Sequence, residues 1–327
     1  MIRSVLLCLC LASPATAGVK EAVEDHIRPG FETFAIQTRA LAVNAEADCS
    51  AEALRPSYQN AFDAWMRVAH ISFGPVEEAG RNLAIAFWPD KRGMVAATVA
   101  QLVAEEDDVV ASEAGFAEVS VAGRGFFALE HLLYDAGYEG YARDSYTCRL
   151  VQAVSADLAR MAGALTAEWG PYGELMLSAG SEGNAVFLTD KEAAQKLYTA
   201  LMGGLEWTAD QRLGRPMGTF DRPRPERAEA RRSGRSLRNV ILSTEALRDL
   251  AEMLSDGDIP VTEEAFDTAL AAAEDLQDPV FQGVTDPSGR LKVEIVQQRI
   301  RAVRDAINGE IGPQLGVGTG FNSADGD

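Results

Sequence analysis

The chain has 327 residues, 47% of them hydrophobic, and its 49 acidic against 30 basic residues leave a formal net charge of −19. A surface that acidic repels phosphate backbones, so nucleic acid is not an expected partner. The apolar fraction is enough for a real core, and the length exceeds what one compact domain usually holds, so two domains are expected.

The first 17 residues read as a signal peptide. Arg3 is the basic start, Val5 to Ala12 the short apolar run, and Ala15-Thr-Ala17 the cleavage site. The run is too short to anchor the chain across a bilayer. Cys8 and Cys10 follow Leu7 and Leu9, not the small residues a lipoprotein signal needs. Cleavage after Ala17 is expected to release a soluble periplasmic protein. Arg3 is the only charge removed, so −19 becomes −20.

Two cysteines remain, Cys49 and Cys148. In an oxidising compartment such a pair is expected to form a disulfide, against the alternative of two buried thiols.

The rest of the chain reads as helix. Val19 to Ala45 and Glu52 to Ile71 have helical apolar spacing, with Pro56 near the start of the second. Residues 73–93 read as irregular, broken at Gly74-Pro75 and Trp88-Pro89. Met94 to Glu105 and Gly123 to Tyr138 are helical. Ser145 to Trp169 is a helix ended by Gly170-Pro171, and Leu175 to Asn184 a loop. Thr189 to Leu213, Pro225 to Ser255, Thr262 to Leu276 and Leu291 to Gly309 complete the set. Thr189 and Thr262, each followed by an acid, look like capping-box starts. No convincing strand pattern occurs. The expected fold is all-α, with an N-terminal bundle over 18–174, a C-terminal bundle over 175–311 and a flexible tail over 312–327. A duplicated four-helix bundle fits the same pattern.

Within Gly123 to Tyr138, Glu130 shares a helix face with Phe126, Phe127 and Tyr134. A carboxylate on such a face needs a cation, a metal or donors, so Glu130 is expected to be buried against an arginine or another donor. Seven arginines lie between Arg222 and Arg238. Arg231, Arg235 and Arg238 are expected on one helix face, with Ser236 beside them. They are either a solvated face balancing Glu226 and Glu229 or a groove meeting Glu130 or an anionic ligand. Three histidines, His26, His70 and His131, show no zinc-site spacing, and each reads as an ordinary helix residue. Glu105 to Asp108 reads as a solvated helix end and Asp256-Gly-Asp258 as a loop. No nucleophile elbow or phosphate loop is present. Gly203-Gly204 marks a close helix approach or a kink.

Several pieces occur in a telling order: Ala64-Trp65, Phe73-Gly74-Pro75-Val76, Phe87-Trp-Pro-Asp-Lys-Arg-Gly93, Gly125-Phe-Phe-Ala-Leu-Glu-His-Leu-Leu-Tyr134, Leu213-Gly-Arg-Pro-Met217 and Ser233-Gly-Arg-Ser-Leu-Arg-Asn239. Together they resemble the imelysin family of exported helical proteins. That resemblance implies two helical bundles and a link to bacterial iron uptake; an older description of the family as metallopeptidases also comes with it. The family hallmark is G-x-H-x-x-E. Here Gly125 and Glu130 match, but Phe127 replaces the His. His131, next to Glu130, lies roughly 100° round the helix and cannot serve in its place. Glu130 is left as the one hallmark residue that could touch a metal, and peptidase activity is not expected. The expected role is a binding or accessory component of iron uptake. Iron or an anionic iron chelate would be the ligand, and an inner- or outer-membrane uptake protein the partner. An envelope scaffold is the alternative, and a metallopeptidase the third reading.

Overall fold

The computed structural model describes residues 18–138 and 140–317. The expectations for residues 1–17 and for the end of the tail from 318 lie outside the described residues. Among the described residues the fold is all-α, with one isolated bridge between Thr219 and Arg222 and no strand.

Helix α1 (Arg28–Ala47) continues from Val19–Glu21 through a π-helical stretch, Ala22–Ile27. Next come α2 (Ala51–Met66), α3 (Met94–Glu105), α4 (Gly125–Tyr134) and α5 (Tyr146–Leu177). Helix α6 (Asp190–Glu206) runs on into π-helical Trp207–Leu213. The set closes with α7 (Ser236–Leu254), α8 (Pro260–Glu274) and α9 (Pro287–Leu315). Helix α1 packs on α2 and α5, and α4 wedges among α2, α3 and α5. Helix α9 packs on α6 and α8, α7 packs on α6, α8 and α9, and α7 also touches α2. One apolar cluster runs through all of them, from Val19 to Ile311.

Aromatic side chains set the spacing in the first group. Phe62 stacks on Phe126 at 4.3 Å between ring centroids, and Phe31 on Trp169 at 5.5 Å. All of Gly125 to Leu133 is buried, so α4 is a core helix on every side and not only on one face.

Packing moves several expected boundaries. Helix α5 does not stop at Gly170-Pro171 but carries Pro171 inside it. Arg28 donates to the Gly170 carbonyl at 2.8 Å and to Glu174 at 2.7 Å, while Trp169, Gly173 and Met176 are buried. That tertiary contact outweighs the local break. Helix α8 begins at Pro260, which suits a first helical position, so Thr262 is not its cap. Instead the Thr262 amide donates to Glu310 at 2.8 Å. Helix α9 starts at Asp286, whose side chain accepts from the Ser288 and Gly289 amides, and runs past Gly312, where the tail was expected. Gly312 is buried, and a Cβ there would stand 3.1 Å from the Tyr198 hydroxyl.

Cys49 and Cys148 form the expected disulfide, with Cα atoms 5.5 Å apart. It ties the end of α1 to the first turn of α5 across 99 residues of sequence. Thiol titration of the unfolded, unreduced chain from residue 18 onward should find neither thiol free. Reduction should cost on the order of 4 kcal/mol in urea unfolding, because the open chain regains the entropy of a long loop. A loss below about 1 kcal/mol would contradict that account.

Candidate functional site

Glu130 lies near the middle of α4 and is 2% exposed. Its partner is not an arginine but Ser233. The Ser233 amide donates to Oε1 at 2.9 Å and the Ser233 hydroxyl to the same oxygen at 2.7 Å. Burial pushes the Glu130 carboxyl above its ordinary range. The two Ser233 hydrogen bonds and the nearby charges of Arg232 and Arg231 oppose that shift without cancelling it.

Ser233 can reach Glu130 because the chain there is a turn. A helix over Pro225 to Ser255 was expected, yet α7 starts only at Ser236. Ala230 (φ 47°) and Gly234 (φ 73°) adopt the left-handed conformation and interrupt the helix. Arg231 therefore sits on the turn, not on one helix face with Arg235 and Arg238.

The arginines have separate tasks. Arg235, 1% exposed, donates to Asp63 at 2.7 Å, to the Gln59 backbone carbonyl at 3.1 Å and to Asn239 at 3.2 Å, with its guanidinium over the Phe62 ring. Arg238 is exposed and grips the same Asp63 with two donors. Arg232 meets Asp135 at 3.3 Å, and Arg231 is exposed. Ser236 donates to the Glu229 carbonyl at 2.6 Å, closing the turn from inside. Gln59 adds a bond to the Ser233 carbonyl at 3.1 Å and one to the Tyr134 hydroxyl at 2.9 Å. The turn is thus clamped to α2 and α4 by Glu130, Gln59 and Asp63.

Gly125 starts α4 at φ 65°. A Cβ there would lie 2.2 Å from the carbonyl oxygens of Ala84 and Ile85. This position is a backbone-to-backbone contact that only glycine permits.

The residues around Glu130 do not fit a resident metal. Phe127 fills the place of the hallmark His and meets Phe62 edge-on at 5.9 Å. His131 turns toward Asp135, with Nδ1 3.5 Å from the carboxylate. Among the described residues no group of three or more His, Cys, Asp or Glu side chains converges as a ligand set.

Three features had no signal in the spacing of the sequence. Asp63 and Gln59 gave no sign of their part in the clamp. Arg212 and Glu229 form a buried pair at 2.8 Å, with Asn239 donating to Glu229 at 3.0 Å. His26 and His70 are 44 residues apart, yet their Nε2 atoms meet at 3.0 Å. The glycine after Ser233 was the only available hint of a turn.

All three histidines are buried and held neutral. Burial, then the Arg67 charge, lowers His26 to about 4. Burial, then His26 and Arg212, lowers His70 well below its ordinary value. For His131, burial and Arg232 outweigh Asp135 and Asp90 and bring it to about 4. A depressed imidazole favours unfolding when protons are taken up, so stability is full above about pH 6.5 and falls toward about pH 4. His26 and His131 should each contribute a loss on the order of 3 kcal/mol across that window in urea unfolding, and His131→Leu should remove its share of the slope. A flat profile would remove this assignment.

Comparison with known proteins agrees with this architecture. The Imelysin (Peptidase_M75) family model matches residues 27–307. The chain belongs to the imelysin family. An imelysin-like protein from Psychrobacter arcticum 273-4 has a similar structure, with TM-score 0.70 at 20% identity, over 94% of this chain and 99% of that one. A Parabacteroides distasonis protein, described as an iron-regulated protein A precursor, has TM-score 0.68 at 14% identity, over 89% and 94%. By sequence, the chain is 26% identical over 301 residues to iron-regulated protein A of Synechococcus elongatus, covering 85% of this chain and 78% of that protein. In imelysin terms, Gly125 and Glu130 of the hallmark keep structural contacts here, and the third position is Phe127.

Proposed function

We propose that this imelysin is an exported, periplasmic binding or accessory protein of iron uptake. The supporting observation is the arginine turn. In a chain carrying −19, Arg231, Arg232 and Arg238 stand exposed or half-exposed on one segment that Glu130, Gln59 and Asp63 hold rigid. A pre-ordered cluster of guanidinium groups suits an anionic iron chelate, because little side-chain freedom is lost on binding. Likeness to the Synechococcus elongatus protein named for iron regulation favours the same reading. An inner- or outer-membrane uptake protein would then receive the cargo. Iron here is cargo, and no catalytic step is assigned to it.

Equilibrium dialysis against ferric citrate tests this. Wild type should retain the chelate, Arg231→Ala/Arg232→Ala should weaken it by roughly tenfold, and Glu130→Gln should bind as wild type because the amide oxygen still accepts from Ser233. Absence of binding would overturn the proposal. Zinc-dependent cleavage of unfolded substrates that Glu130→Gln abolishes would overturn it in favour of a peptidase.

A further inference from the structure

A cleft of about 430 Å³ lies between the segment after α2 and the pair α6 and α7, and meets the arginine turn only at Glu229. Its walls carry Trp65, Phe73, Trp88 and Trp207 beside several polar groups. Trp88 and Trp207 stand edge to face at 6.1 Å, with Trp207 half-exposed. His70 and Ser243, 8% and 4% exposed, line the same cleft, and His70 Nδ1 and Ser243 Oγ have no hydrogen-bond partner within the protein. Lys196 and Arg212 bring two cations to the lining against one carboxylate, Glu229.

Each feature constrains a ligand. Orphaned buried polar atoms cost free energy unless something meets them. An imidazole nitrogen and a hydroxyl on the lining of one cleft suit an oxygen function, whichever tautomer the bond to His26 leaves on His70. Tryptophan faces and edges favour a flat ring over an aliphatic one. The surplus cation, in so acidic a protein, favours an anion. Glu229 already accepts from Arg212 and Asn239, so Lys196, which stands over the Phe73 ring and makes no ion pair among the described residues, is the group left for the anion. Gly203 and Gly204 keep this side of α6 low; a Cβ on Gly204 would lie 2.6 Å from the Leu247 side chain and 2.9 Å from the His70 Cβ.

We infer that the cleft is a binding site for a small planar organic anion, an aromatic hydroxy acid in chemical class. The ring lies against Trp88 and Trp207, the carboxylate meets Lys196, and the hydroxyl reaches His70 and Ser243. This site needs no iron and uses none of Arg231, Arg232 and Arg238.

Calorimetric titration with salicylate, with a metal chelator present throughout, tests it on the full exported chain. Salicylate should bind saturably with one-to-one stoichiometry. Benzoate should bind more weakly, and phenol and cyclohexanecarboxylate each roughly tenfold more weakly or worse. Trp207→Ala and Lys196→Gln, both at exposed positions, should each lower salicylate affinity about tenfold, while Ser243→Ala should affect salicylate more than benzoate. Unchanged thermal midpoints would show that the variants are folded. Absence of saturable heat, equal binding of cyclohexanecarboxylate, or indifference to all three substitutions would overturn the inference. Failure to bind ferric citrate would leave it standing.

Discussion

Gly125→Ala should destabilise the chain by on the order of 4 kcal/mol, more than any substitution at an exposed glycine. Two effects add. The residue sits at φ 65°, where a side chain is strained, and its Cβ would stand 2.2 Å from two backbone carbonyl oxygens. Backbone oxygens cannot swing away as a side chain could. Either α4 or the short helix Arg81–Ile85 must shift. Gly93→Ala separates the two effects, because Gly93 has φ 69° but open space around its Cβ position. That control should cost only about 1 kcal/mol. Urea midpoints of both variants are the measurement, and equal losses would remove the steric argument.

Asp63→Ala should cost on the order of 3 kcal/mol. Removing this carboxylate strands Arg235, which is 1% exposed, and frees Arg238 from its grip. Burial pushes the Asp63 carboxyl up, but the Arg238 hydrogen bond and the Arg235 charge prevail and leave it below its ordinary value. Its contribution is therefore present at neutral pH and lost as acid titrates it. Asp63→Asn should cost less, since an acceptor remains. Pairing Asp63→Ala with Arg235→Met should recover part of the loss, because no unpaired buried charge is left. A double variant as unstable as the two single losses added together would show that the residues do not act as a pair.

How far these features were legible in the sequence depends on how local their causes are. Helical spacing identified nearly every long helix, because burying one stripe of a helix leaves a period in the chain. The disulfide followed from compartment and count. Helix ends were less legible. Pro171 looks like a stop, and only the contact of Arg28 with Gly170 explains why α5 continues. The arginine cluster was visible, but its geometry was not. A helix reading placed Arg231 with Arg235, whereas Ala230 and Gly234 turn the chain between them. Glu130 was marked by its apolar neighbours, yet a serine more than 100 residues away cannot be read from spacing as its partner. The histidine pair was invisible for the same reason, since nothing near either residue specifies the other.

The clamp on Arg235 also limits how the molecule can move. Helix α7 belongs to the packing of α6, α8 and α9, but its first turn is bolted to α2 through Asp63 and Gln59. Opening the two helix groups like the leaves of a hinge would pull an otherwise buried guanidinium away from its carboxylate and its aromatic support. That cost resembles the loss of Asp63 itself. Trp207 and residues of segment 73–93 line the cleft, so local movement there would admit a small molecule without breaking the clamp. Amide exchange should accordingly be slowest across the first turns of α7 and faster in 73–93, a gradient opposite to that of a molecule hinged between its halves.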